Sequence, residues 1–358
     1  MTALGGQPWK GRAVDLMNKL TDWIKRHQVA AFFLIAFAIT WGLGFSYAAF
    51  YKGMFLLLPL GFVATCGPAL AGILISALSN TQPRQGPRKA PWIAFFIAWF
   101  VSALVWLANT TFVDQVPLSP ALVGLTLVSV VPVAFVISMA YSRIPAVKRS
   151  LSSLTRLDGL WGWSLLALVF YPALILLSLP VSNLHGRQPI AAPQLPETGL
   201  ALIGLIAAKF LYQFLFFNAT GEEAGWRGFA LPRLQARTSP LSASLILAFF
   251  WVPWHFFLWR AQGKAVTTWS FWINNGSLII LSSIITAWFY NRSKGSILVA
   301  GIIHAAEDTT ARLLLIQDWI MYLVLKAAVA LVIILTDRMW KKLPSDHPAL
   351  YREPAPAG

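Results

Sequence analysis

Six ionisable residues in the last 140 or so positions of this 358-residue chain have the types and spacing needed for chemistry. They form two adjacent carboxylate pairs, Glu222-Glu223 and Glu307-Asp308, and two histidines, His255 and His304, all within or beside long apolar runs. The other nine of the thirteen acidic residues lie in loops, tails or at the ends of such runs, without an acidic neighbour. Ionisable groups at membrane depth cost several kcal/mol, so their clustering there points to function.

The first segment reads Gly221-Glu222-Glu223-Ala224-Gly225-Trp226-Arg227. Adjacent carboxylates point about 100° apart on a helix of 3.6 residues per turn, so the two glutamates are expected to differ in role. Glu223 and Arg227, spaced i, i+4, can pair along one face, which leaves Glu222 free to act as a base. The simpler alternative is a salt-bridge cluster at a membrane boundary. In the second segment His255 follows Phe250-Trp251-Val252-Pro253-Trp254, and Pro253 removes a backbone donor and predicts a kink. A lone histidine there can equally serve packing or hydrogen bonding. The third places His304 and Asp308 one turn apart on one face, spacing that also suits an interhelical hydrogen bond.

The elements that must position these groups follow from composition. Hydrophobic residues make up 57% of the chain and charged residues only 11%, where a soluble domain carries about 25%. Spanning about 30 Å of hydrocarbon takes about 20 apolar residues. Ten runs qualify: roughly 29–51, 54–79, 91–113, 119–141, 159–182, 199–220, 241–259, 268–290, 295–316 and 319–336. Backbone groups in lipid must bond within their own segment, so the runs are expected to be helices and the fold an all-α polytopic transmembrane bundle. The runs 241–259 and 268–290 are polar enough to be re-entrant.

With the amino terminus in the cytoplasm, 21 of the 28 basic residues fall in cytoplasmic segments. Four, Lys52, Arg187, Arg260 and Lys264, fall in outer loops, and Lys209, Arg312 and Lys326 fall within runs. This positive-inside pattern predicts both termini in the cytoplasm of a multi-pass plasma-membrane protein. It also explains the net charge of +15 through orientation and anionic lipid, without nucleic acid. Residues 1–28, with Trp9, Leu16, Leu20, Trp23 and Ile24 at helical spacing among basic residues, read as an amphipathic helix on the inner leaflet. Residues 29–336 read as one membrane domain and 337–358 as a cytoplasmic tail. The first apolar run is too long for a cleavable signal. The single cysteine, Cys66, excludes a disulfide framework or a cysteine-based zinc site.

Glu222-Glu223-xxx-Arg227, Trp251-xxx-His255 and His304-xxx-Asp308, in this order, resemble the CAAX-protease and bacteriocin-processing (Abi) family of intramembrane endopeptidases, related to type II CAAX prenyl endopeptidases. The resemblance covers about residues 200–312. Trp251 replaces a commoner Phe, a small change between large aromatics, and Asp308 stands where many members have Asn. An ionised Asp cannot donate to an oxyanion as Asn can, so Asp308 is either held neutral or orients His304.

The resemblance implies a hydrolase in which Glu222, helped by His255, activates water, His304 and Asp308 form the oxyanion side, and Glu223 and Arg227 hold the helix. The implied substrate is a lipidated, transmembrane or strongly apolar peptide. Metal-free glutamate chemistry is the preferred reading because no HExxH helix occurs. The alternative is a zinc site of Glu222, His255 and His304, for a family often labelled metalloprotease. Two non-proteolytic readings compete: a bacteriocin-immunity protein that only binds, and a proton- or ion-coupled transporter. A transporter is expected to show internal symmetry, yet every ionisable pair here lies in the C-terminal half.

Overall fold

The computed structural model describes residues 8–50, 58–184, 199–261, 263–264, 266–314 and 319–352, and among these it is all helical. In chain order the helices are α1 (Pro8–Arg26), α2 (Gln28–Phe50), α3 (Leu58–Thr65), α4 (Gly67–Leu78), α5 (Ala90–Ala108) and α6 (Pro120–Ser129). They continue as α7 (Val131–Met139), α8 (Pro145–Leu151), α9 (Trp161–Leu184), α10 (Leu200–Gln213) and α11 (Leu231–Gln235). The last five are α12 (Pro240–Trp254), α13 (Phe256–Ala261), α14 (Trp269–Arg292), α15 (Ile297–Leu314) and α16 (Trp319–Thr336). Between α10 and α11 the helix continues through wide π turns at Phe214–Glu223 and Trp226–Ala230.

Seven of these helical stretches are long and apolar enough to cross a membrane, and eight if the bent pair α3–α4 counts as one span. Two of the ten expected runs fall short for physical reasons. α15 carries Glu307, Asp308 and Arg312, and the apolar part of α16, Ile320–Thr336, spans only about 26 Å at 1.5 Å per residue. The runs suspected of re-entrance, now α12–α13 and α14, are both among the seven. The break lies instead between α3 and α4, which bend by 61° where Pro68 starts a new helix at its first turn. Residues 51, 54–57 and 315–316 of the expected runs, residues 1–7 of the expected amphipathic segment, and Lys52 and Arg187 lie outside the described residues.

Lipid-facing surfaces are plain on α5, where Trp92, Ile93, Phe96, Ile97 and Phe100 are all more than half exposed. α1 exposes Leu16, Met17 and Leu20 and buries Ile24 in the bundle. Inside, α15 packs against α9 and the wide-turn segment, α2 against α4, and α12 against α14. Glycine sets two of these approaches. A Cβ on Gly225 would lie 2.3 Å from the carbonyl carbon of Pro68 in α4, and one on Gly301 would lie 2.7 Å from Ala219 Cβ. Without glycine there, the glutamate segment could not sit so close to α4 and α15.

After α16 the chain folds back onto the bundle. Leu241 N–H donates to the Met339 carbonyl at 3.0 Å and Tyr351 N–H to the Pro232 carbonyl at 3.2 Å. The Arg233 guanidinium lies between the rings of Phe229 and Tyr351, at 3.6 and 3.7 Å. Residues 353–358 of the expected tail lie outside the described residues.

Candidate active site

Glu222 and Glu223 sit at the end of the first wide-turn stretch, inside a helical stretch running from Leu200 to Gln235. The apolar run ends near residue 220, and the helix continues beyond it, carrying both glutamates into the protein interior. Glu223 and Arg227 are fully buried, and Arg227 Nη1 donates to Glu223 Oε1 at 2.8 Å. The guanidinium also lies 4.6 Å from the centre of the Trp251 ring, and its Nη2 donates to the Ser283 carbonyl of α14 at 3.4 Å. A buried charge needs such company, since desolvation is compensated only by close partners.

Glu222 is held differently. Its Oε2 accepts the Trp251 indole N–H at 2.6 Å and lies 3.9 Å from His255 Nε2, beyond hydrogen-bonding distance. His255 occupies the break between α12 and α13, two residues after Pro253. Its Nδ1 is 2.9 Å from the Trp251 carbonyl, which can only accept, so Nδ1 carries a proton and Nε2 faces Glu222. The α12 end is fixed from α2: Trp254 Nε1 donates to Thr40 Oγ1 at 2.9 Å, and Trp41 Nε1 to the Trp254 carbonyl at 3.3 Å. The ring of Trp259 stacks on the other side of His255 at 5.3 Å.

His304 comes in from α15. Its Nδ1 donates to Glu223 Oε1 at 2.9 Å, and its ring meets the Trp251 indole edge-on at 5.3 Å. Asp308 does not orient His304; Glu223 does. Asp308 Oδ2 instead accepts from Gln213 Nε2 at 3.2 Å and Asn218 Nδ2 at 3.1 Å. Thus Glu222, Glu223, Arg227, His255 and His304 gather around Trp251, and Asp308 joins them one turn along α15.

Three contributors lay outside the expected set. Trp251 is no simple stand-in for Phe, because its N–H holds Glu222 and its ring contacts Arg227 and His304. That donor was legible in the residue type. Gln213 and Asn218 carried no such signal, since neutral amides are common at interfaces between membrane helices.

The alternative zinc ligands lie in the same site but are not arranged around one point. Among the described residues no three His, Cys, Asp or Glu side chains are arranged to hold a metal ion. The donor types suit zinc, and each histidine keeps Nε2 for a ligand while Nδ1 is held by a carbonyl or by Glu223. The arrangement of the three side chains, however, does not fit a three-ligand zinc site.

Comparison with known proteins points the same way as the motifs. Residues 204–310 match the family model for type II CAAX prenyl endopeptidase, Rce1-like, a segment that contains all six expected site residues. The curated protein CAAX prenyl protease 2 of Methanococcus maripaludis is 32% identical over 152 residues. That alignment covers 41% of this chain and 55% of the relative, so the chain spans about half the relative's length. Over residues 204–310, the chain is therefore similar to the Rce1-like type II CAAX prenyl endopeptidases.

Proposed function

We propose that this multi-pass membrane protein is an endopeptidase that hydrolyses a peptide bond of a lipidated or apolar membrane substrate within the bundle. The relative's name, CAAX prenyl protease 2, makes a prenylated protein the first substrate class to test. The observation that carries the reading is the 3.9 Å gap between Glu222 Oε2 and His255 Nε2. It is too wide for a direct hydrogen bond, yet one water fits with about 2.8 Å to each. Glu222 takes a proton from that water as its oxygen bonds to the scissile carbonyl carbon, whose π electrons move to the carbonyl oxygen. His304 acts as an imidazolium, with Nδ1–H kept on Glu223 and Nε2–H donated to the oxyanion. The C–N bond then breaks, and the leaving amine takes the proton from Glu222. Asp308, with Oδ2 occupied by two amides, offers Oδ1 to a substrate N–H.

The test uses purified protein in liposomes, with prenylated and unprenylated membrane peptides. Glu222→Gln keeps the Trp251 contact but removes the base, so cleavage falls by about 10²–10⁴-fold while the protein stays folded. Normal cleavage by Glu222→Gln would remove Glu222 as the base.

We further propose ten plasma-membrane crossings with both ends cytoplasmic, from the charge asymmetry of the loops. Reporter fusions after Asn183 and Met339 then report outer and inner sides, respectively; the same side for both rejects the topology.

A further inference from the structure

Glu307 takes no part in the site described above, although it adjoins Asp308 in α15. While Asp308 faces the amides of Gln213 and Asn218, Glu307 turns toward α14 and α16. Its Oε2 accepts from Ser282 Oγ at 2.9 Å and its Oε1 from Tyr322 OH at 2.7 Å. Lys326 of α16 forms an ion pair with Glu307 and also donates to Ser282 Oγ. This lysine is fully buried, with its Nζ 4.8 Å from the Tyr171 ring centre of α9 and 5.4 Å from that of Tyr322. Lys326 and Tyr322 lie beyond residues 204–310, the segment matched to the family.

An ammonium in a membrane interior is costly unless paired, and a pair of apolar side chains would fill the same space without that cost. The distinctive property of the ion pair is direction. Apolar contact between α15 and α9, through residues such as Val299, Ile303 and Tyr171, resists sliding only weakly. One polar anchor on a helix leaves it free to turn about that anchor. Two anchors on adjacent residues, about 100° apart, fix both rotation and height. Glu307 and Asp308 are such anchors, and His304 lies one turn before them on the same helix.

We propose that Lys326 and Glu307 are positioning residues: their buried pair sets the rotation of α15 and so aims His304 and Asp308 at the reacting groups. The activity arm of the test rests on the protease reading; the geometric arm does not. Glu307→Gln with Lys326→Met removes both charges at once and strands neither. In the folded double variant kcat is expected to fall about 10²-fold, the effect of an ångström of misplacement, while KM changes less than about threefold.

The geometric arm uses Cys66→Ala protein carrying Asn218→Cys and Asp308→Cys, and measures bridging by dibromobimane, which fluoresces when it links two thiols. A control pair, Ser76→Cys with Ser150→Cys, replaces another close contact, between α4 and α8. Loss of the ion pair is expected to cut 218–308 bridging severalfold and leave the control unchanged. Unchanged kcat and bridging overturn the proposal, as does an equal loss at both pairs, which marks general loosening. Should the double variant fail to fold, Tyr322→Phe removes only one donor to Glu307. A kcat lowered about threefold with KM kept then supports the proposal, and an unchanged kcat overturns it. If the wild type cleaves no peptide, the protease reading fails and bridging alone decides.

Discussion

Glu222 and Glu223 are adjacent in sequence, yet they belong to two regions built on opposite plans. Glu223 is fully buried and tied through one oxygen, with Arg227 at 2.8 Å and His304 at 2.9 Å on Oε1, while its Oε2 has no hydrogen-bond partner. Glu222 is 6% exposed, holds one indole N–H and faces a histidine nitrogen across a gap. The difference teaches how two identical side chains are given different work: one is tied by strong charged partners, and the other keeps capacity for a proton and a water. On the proposed mechanism the ion pair within the site is structural and the looser contact beside it is the reactive one.

The most severe way to break this contrast is to loosen the tied side. Glu223→Gln or Arg227→Gln leaves the other partner buried without its counter-charge, at a cost of about 3–5 kcal/mol of stability. Thermal unfolding in detergent should show both variants melting well below wild type, with activity lost alongside. A Glu223→Gln protein that is stable but inactive would mean that the glutamate roles are reversed.

A smaller effect is expected from Trp251→Phe, which keeps the ring beneath Arg227 but removes the donor to Glu222. One hydrogen bond to a charged group is worth about 1.5–3 kcal/mol, so cleavage should fall by about 10- to 150-fold, with little change in melting. Equal activity in the two proteins would show that the carboxylate needs no holding, and the contrast between the glutamates would weaken.

The smallest change is expected at Asp308. Asp308→Asn keeps the size of the side chain and can rotate its amide to accept from Gln213 and Asn218 through the carbonyl oxygen. Activity should stay within about threefold of wild type in a peptide-cleavage assay. A collapse in rate would show that the negative charge of Asp308 is itself required, which would sharpen the division between the two sides of α15.

Much of this arrangement was readable from the residues alone, because charge in an apolar run is conspicuous. The i, i+4 spacing of Glu223 and Arg227 anticipates their contact, and Pro253 anticipates the break that presents His255. Neutral polar partners were hidden: Thr40, Gln213 and Asn218 each hold a site group, yet nothing in their local sequence distinguishes them from ordinary residues at helix interfaces. The same limit applied to the helices. Counting apolar residues found each run, but it could not find the bend between α3 and α4. Nor could it show that residues after 199 continue as a single helix through Gln235, because that extension depends on packing against α4 and α15.

The return of residues 337–352 onto the bundle has a consequence for the order of assembly during synthesis. Tyr351 covers Arg233 and binds the Pro232 carbonyl, just beyond the glutamates, and Met339 secures the start of the helix that ends at His255. These clasping residues leave the ribosome after every residue of the site. The two helices that bring Glu222 and His255 together are therefore made without this fastening, and receive it only after residues 337–352 have been added.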